Sequence, residues 1–114
     1  MSIATFAQGR SMVVAPEGPR LDAEVAPAFR EALLHVIERG CGNLIVDLDG
    51  IDFIDSSGLG ALVTAFKRLK GETQTGDIRL ANVQPLVNSL LEIIRLNRVF
   101  TSYPSLDDAV QSYE

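Results

Sequence analysis

The sequence predicts an α/β domain built on a mixed β-sheet, and three observations carry that expectation. Short β-branched and aliphatic runs, such as Leu44-Ile45-Val46 with Leu48, alternate with longer stretches whose apolar residues recur at a helical period. Read in order, these runs give β-β-α-β-α-β-α-β-α, a single layer of sheet packed with about four helices. The length of 114 residues, 46% of them hydrophobic and 22% charged, suits one core, so a single domain over residues 1–114 is expected.

Taken in order, Ile3 to Ala7 and Met12 to Ala15 read as two strands around a Gln8-Gly9-Arg10-Ser11 turn. Pro16-Glu17-Gly18-Pro19 breaks the second. Leu21-Asp22 then leads into a helix with the stripe Ala26, Phe29, Leu33, Val36 and Ile37. Asp22 is a candidate cap, but Pro27 allows the regular helix to begin nearer Val25 instead. Gly40 ends it. A buried strand over Asn43–Leu48 follows, then a polar corner and a helix with Leu59, Leu62, Val63, Phe66 and Leu69 on one face. Asp55 or Ser56 supplies the N-cap oxygen, and Gly71 is the expected stop. Beyond it come a strand from Asp77 to Ala81 and a helix opened by Gln84-Pro85, with Leu86, Leu90, Ile93 and Ile94 as its face. Val99-Phe100 reads as a short edge strand. Ser105 caps a terminal helix, with Asp108 three residues on.

Charge narrows the function. A net charge of −5, with the ten Lys and Arg scattered or paired with acids, speaks against a nucleic-acid partner. The N-terminus has neither a basic n-region nor a long apolar h-region, so no signal peptide is expected. No apolar run reaches the length of a membrane span, and a lone Cys41 forms no internal disulfide. A cytoplasmic protein without membrane insertion is expected.

The residues fit none of the common catalytic patterns. Gly58-Leu59-Gly60 is followed by Val63 where a dinucleotide fingerprint wants a small residue. Ser56 and Ser57 lack the upstream glycine of a nucleophile elbow. His35 falls off its helix's apolar stripe and reads as solvated, and Cys41 reads as a small loop residue with no histidine implied nearby. Asp47, Asp49, Asp52 and Asp55 read as turn residues rather than a cation site. The expectation is a protein that is not an enzyme and needs no cofactor or metal.

The corner itself admits two readings. Asp55-Ser56-Ser57-Gly58 is a sufficient helix start with no further role. It also places two hydroxyls beside an acidic loop at the positive end of a helix dipole. There a phosphoryl group would sit over the unpaired amides of the first turn. Ser56 is the outward candidate, and Ser57, rotated by about 100°, the inward one.

Val46-Asp47-Leu48 followed by Ile51-Asp52-Phe53-Ile54-Asp55-Ser56-Ser57-Gly58-Leu59-Gly60 resembles the bacterial anti-sigma factor antagonists, the STAS domain family. Leu21-Asp22, Asn82-Val83-Gln84-Pro85-Leu86-Val87 and the Leu96–Phe100 approach fit as well. Between Gly18 and Leu21 stand Pro19 and Arg20, one residue more than the family commonly has. The resemblance implies a STAS fold and a partner-switching protein. Unmodified, it binds an anti-sigma factor that is a serine kinase of the GHKL type, and so releases a sigma factor. The kinase phosphorylates Ser56 rather than Ser57, binding is lost, and a serine phosphatase restores it. Asp22, Asp55, Ser56, Ser57, Gly58, Leu59 and Gly60 are the partner-binding residues so implied. The alternative is an accessory or scaffold STAS protein of a signalling complex or lipid transporter, without a phospho-switch. A nucleotide-binding domain is a third reading, disfavoured by the lack of a P-loop.

Overall fold

A computed structural model of the chain describes residues 2–114. Its elements are β1 (Ile3–Gln8), β2 (Ser11–Pro16), β3 (Arg20–Leu21), α1 (Ala26–Glu38), β4 (Asn43–Asp47) and β5 (Phe53–Ile54). They continue with α2 (Ser56–Glu72), β6 (Asp77–Ala81), α3 (Pro85–Ile93), a 3₁₀ turn (Leu96–Arg98), β7 (Ser102–Tyr103) and α4 (Leu106–Gln111). Five strands form one sheet in the order β1-β2-β4-β6-β7, with β1 antiparallel to β2 and the other pairs parallel. The sheet is mixed, as the sequence predicts.

Alternation along the inner strands divides the core. Val14, Leu44, Val46, Ile78 and Leu80 point to the face covered by Phe29, Leu33, Leu62 and Leu69 of α1 and α2. Val13, Ile45 and Ala81 point the other way, onto Ala109 and Val110 of α4. A parallel strand covered on both faces must be apolar at consecutive positions, which is why Leu44-Ile45-Val46 shows no alternation. At about 1.5–3 kcal/mol per fully buried Leu, Ile or Val side chain, the sheet's apolar residues and the helix faces packed on them supply most of the fold's stabilisation.

Several local expectations give way to the packing. Asp22 does not cap α1; the residue before that helix is Val25, which offers no side-chain bond. Pro27 falls in the first turn, where its missing N–H costs nothing. Helix α2 runs through Gly71 to Glu72. The Arg68 guanidinium spans that last turn to Glu72 and also reaches Glu38 of α1, both at 3.0 Å, and the chain turns extended only at Thr73. Val99 and Phe100 are not a strand: both amides bond back to the Leu96 carbonyl, and the buried Phe100 ring meets Phe66 edge-on at 5.5 Å. The edge strand is Ser102–Tyr103. In α3 the buried residues are Val87 and Leu91, while Leu86, Ile93 and Ile94 are exposed. Ser105 caps α4 as expected, its Oγ accepting the Asp108 N–H at 3.0 Å.

The serine corner at the start of α2

A small second sheet builds the corner. Strands β3 and β5 pair in parallel, Arg20 opposite Phe53 and Leu21 opposite Ile54, so Asp22 and Asp55 leave neighbouring strands at the same level. The Asp55 N–H reaches the Leu21 carbonyl at 3.4 Å. Asp55 is the N-cap of α2: its Oδ1 accepts the Ser57 N–H at 2.9 Å and the Gly58 N–H at 3.2 Å. Those two amides are therefore occupied by the cap and are not free to receive a phosphoryl group on Ser56. Ser56 is exposed and Ser57 half-buried, in the order the sequence predicts.

Gly58 explains how closely α2 approaches the small sheet. A Cβ there would stand 2.4 Å from the Leu21 carbonyl oxygen and 2.8 Å from Ile54 Cγ1. Gly58 and Leu59 are buried and hold the corner in place. Gly60 is exposed, and a Cβ on it would touch nothing within 4 Å. With Ser57, Ala61 and Thr64 it lines a groove against Ala23, Ala26, Pro27 and Arg30 at the start of α1. Asp22 faces this region half-exposed. Its Oδ1 turns the chain by accepting the Glu24 N–H at 3.1 Å, and its Oδ2 lies 3.4 Å from Arg20 Nε.

The Arg20 side chain also lies over the Phe53 ring at 4.1 Å, a contact that sequence spacing does not reveal because it depends on β3 pairing with β5. Phe53 and Ile54 form a second groove with Asp52, Leu86, Val87 and Leu90. Two of the four aspartates, Asp47 and Asp55, use their carboxylates to hold the backbone. Asp47 Oδ1 accepts from the Asp49 N–H and from Asn82 Nδ2, both at 3.1 Å, tying the loop after β4 to the loop after β6. Among the described residues no group of three or more His, Cys, Asp and Glu could hold a metal ion. His35 is exposed and shares a groove with Cys41, contrary to the expectation of no neighbouring histidine. The Cys41 thiol is directed to the Asn43 carbonyl at 3.6 Å.

A capped helix start carrying an exposed serine, clamped by a two-strand sheet onto a mixed α/β layer, describes a known class of regulatory binding module. The chain belongs to the STAS domain family, whose model matches residues 2–109. It is 31% identical over 91 residues to the anti-sigma-B factor antagonist of Bacillus subtilis, covering 80% of this chain and 81% of that protein. An anti-sigma factor antagonist from Mycobacterium paratuberculosis superposes with a TM-score of 0.87 at 24% identity, over 97% of this chain and 92% of that one. The phosphorylated form of the Bacillus cell fate determinant SpoIIAA superposes with a TM-score of 0.75 at 18% identity, over 99% and 100% of the two chains. At these identities the two structural likenesses establish the fold. Among the described residues, no helix is long and apolar enough to cross a membrane.

Proposed function

We propose that this chain is an anti-sigma factor antagonist, a single cytoplasmic domain that binds its partner through the corner at the start of α2. The partner is an anti-sigma factor serine kinase of the GHKL type, and binding it releases a sigma factor. Phosphorylation of Ser56 ends the complex and a serine phosphatase renews it. The observation that carries this reading is the exposed Ser56 hydroxyl, held one residue beyond the Asp55 cap on a rigid helix start. The name of the Bacillus subtilis relative and the phosphorylated state of the SpoIIAA structure support it.

The electrostatics suit a switch. A phosphate adds about −1.5 to −2 charges at neutral pH. At ~6 Å from a partner carboxylate and an effective dielectric of about 40, the repulsion is on the order of 2–3 kcal/mol before screening. A tenfold loss of affinity needs about 1.4 kcal/mol, so the modification empties the complex without refolding the domain. Asp55, already engaged in the cap, adds its charge to the same spot.

The test is a pull-down from the source cell with and without ATP, followed by mass spectrometry of the recovered protein. A GHKL kinase should be captured and then released as Ser56 becomes phosphorylated. Ser56→Ala should hold the kinase constitutively, Ser56→Asp should bind weakly, and Ser57→Ala should still be labelled. Phosphate on Ser57 with Ser56 unmodified overturns the assignment, and capture of a transporter subunit in place of a kinase favours the accessory role.

A further inference from the structure

The two edges of the main sheet are finished differently. On one side β7 is two residues long and is followed at once by Pro104, which blunts the edge. On the other side β1 is six residues long, Ile-Ala-Thr-Phe-Ala-Gln, without charge or proline. Its pairing with β2 is unbroken from Ile3 opposite Pro16 to Gln8 opposite Ser11, so no bulge turns it away. Among the described residues, β1 therefore has no charge, proline, bulge or short length to protect it as an edge.

The hydrogen-bond phase of β1 can be fixed from two contacts. The Glu17 N–H bonds the Ser2 carbonyl at 2.9 Å, which makes Ser2 an inward-bonded position. Pro16, which has no N–H, stands opposite Ile3, as suits a pair that exchanges no bonds. In an antiparallel ladder these positions alternate. Ala4, Phe6 and Gln8 therefore bond to β2, and Ile3, Thr5 and Ala7 direct N–H and C=O outward.

We infer that β1 is a self-pairing edge, at which two copies of this chain join antiparallel about a two-fold axis at Thr5. This register sets Thr5 against the second copy's Thr5 and Ile3 against its Ala7. Every outward N–H from residues 3 to 7 then meets an outward C=O, and shifting the register by two residues leaves one pair unmade. On the face shared with α4, Phe6, 38% exposed in the single chain, falls beside Ala4 of the second copy, a large side chain against a small one. Charge favours the arrangement too. Residues 1–16 contain no Asp or Glu in a chain of net charge −5, so neither β1 nor β2 brings a carboxylate to the contact. The Arg10 turn of one copy lies at the same end of the joined sheet as Glu17 of the other, about two strand spacings away. The contact is isologous and closes on itself. No residue of the serine corner lies on β1, so the pairing is independent of the proposed partner switch and leaves both corners open.

The test uses the full chain in sedimentation velocity and amide hydrogen exchange over a range of concentrations. A dimer should accumulate as concentration rises, and exchange at Ile3, Thr5 and Ala7 should slow in parallel. Exchange at Ala4, Phe6 and Gln8 should be slow throughout. Thr5→Lys, on an exposed side chain, sets two ammonium groups opposite each other and should raise the dimer's Kd by about tenfold or more, whereas Thr5→Val should keep it. Thr5→Pro removes only an outward N–H and should also give monomer. A chain that stays monomeric at all concentrations overturns the inference. So does a dimer whose exchange at Ile3, Thr5 and Ala7 is independent of concentration, or one that Thr5→Lys leaves intact.

Discussion

Helix α2 follows β5 of the small sheet across Asp55, whereas α3 follows β6 of the main sheet by way of a loop, and the molecule holds the two in different ways. The start of α2 is bonded by the Asp55 carboxylate, and its flank is buried through Leu59, Ala61, Leu62, Ala65 and Leu69. Helix α3 begins at Pro85 with no side-chain cap and buries only Val87 and Leu91, leaving Leu86 76% and Ile93 77% exposed. The contrast shows what patterning can determine. In α2 the polar Thr64, Lys67, Arg68 and Lys70 mark the outer face and so fix the rotation of the helix. In α3 only Asn88, Ser89 and Glu92 are polar between Pro85 and Ile93, so the apolar period fits more than one rotation.

Substitutions can break that contrast or sharpen it. Leu62 is fully buried between α1, α2 and the sheet, so Leu62→Ala should cost about 2–5 kcal/mol. Against a total of roughly 5–15 kcal/mol, that is a large drop in urea midpoint, and an unchanged midpoint would mean α2 is no more firmly held than α3. Within α2, two glycines should respond with opposite signs. Gly58→Ala drives a methyl into the Leu21 carbonyl and should destabilise by about 1–3 kcal/mol. Gly60→Ala meets open space and should stabilise by roughly 0.5–1 kcal/mol, while adding bulk to the proposed binding groove. Thermal melts of the pair decide this, and equal shifts would remove the close approach at Gly58 as the reason for that glycine. On α3, Leu86→Ala should move stability by no more than about 0.5 kcal/mol in chemical denaturation, because its side chain is already in water.

What the sequence made legible follows the same division. The corner from Asp55 to Gly58 was readable because capping chemistry and the outward turn of Ser56 are local properties of four residues. The long strands and the stripe on α1 were readable because burial repeats along them. Strands β3 and β5 were not, since two residues have no period, and their pairing joins positions far apart in the chain. Asp22 admits two readings in the sequence, a cap or a helix start nearer Val25, and the structure takes the second: α1 begins at Ala26, and the Asp22 carboxylate accepts the Glu24 N–H in the turn before it. Phe100 looked like strand because an apolar pair after a helix has two uses, and only the ring of Phe66 decides between them.

The far end of the chain bears on the order in which the molecule is assembled. Once synthesis has passed Ala81, the strands that carry Val13, Ile45 and Ala81 exist, but the helix that covers those residues has yet to be made. The Tyr113 hydroxyl then shares its single proton between the carbonyls of Leu44 and Asp77, at 2.9 and 2.8 Å, on the two central strands. Burial pushes its phenol up, which keeps that proton in place. The adjoining Glu114 carboxylate accepts the Arg10 N–H at 3.0 Å, at the turn between β1 and β2. One stretch thus closes contacts with residues much earlier in the chain, and that face of the sheet stays apolar and bare until residues 105–114 emerge.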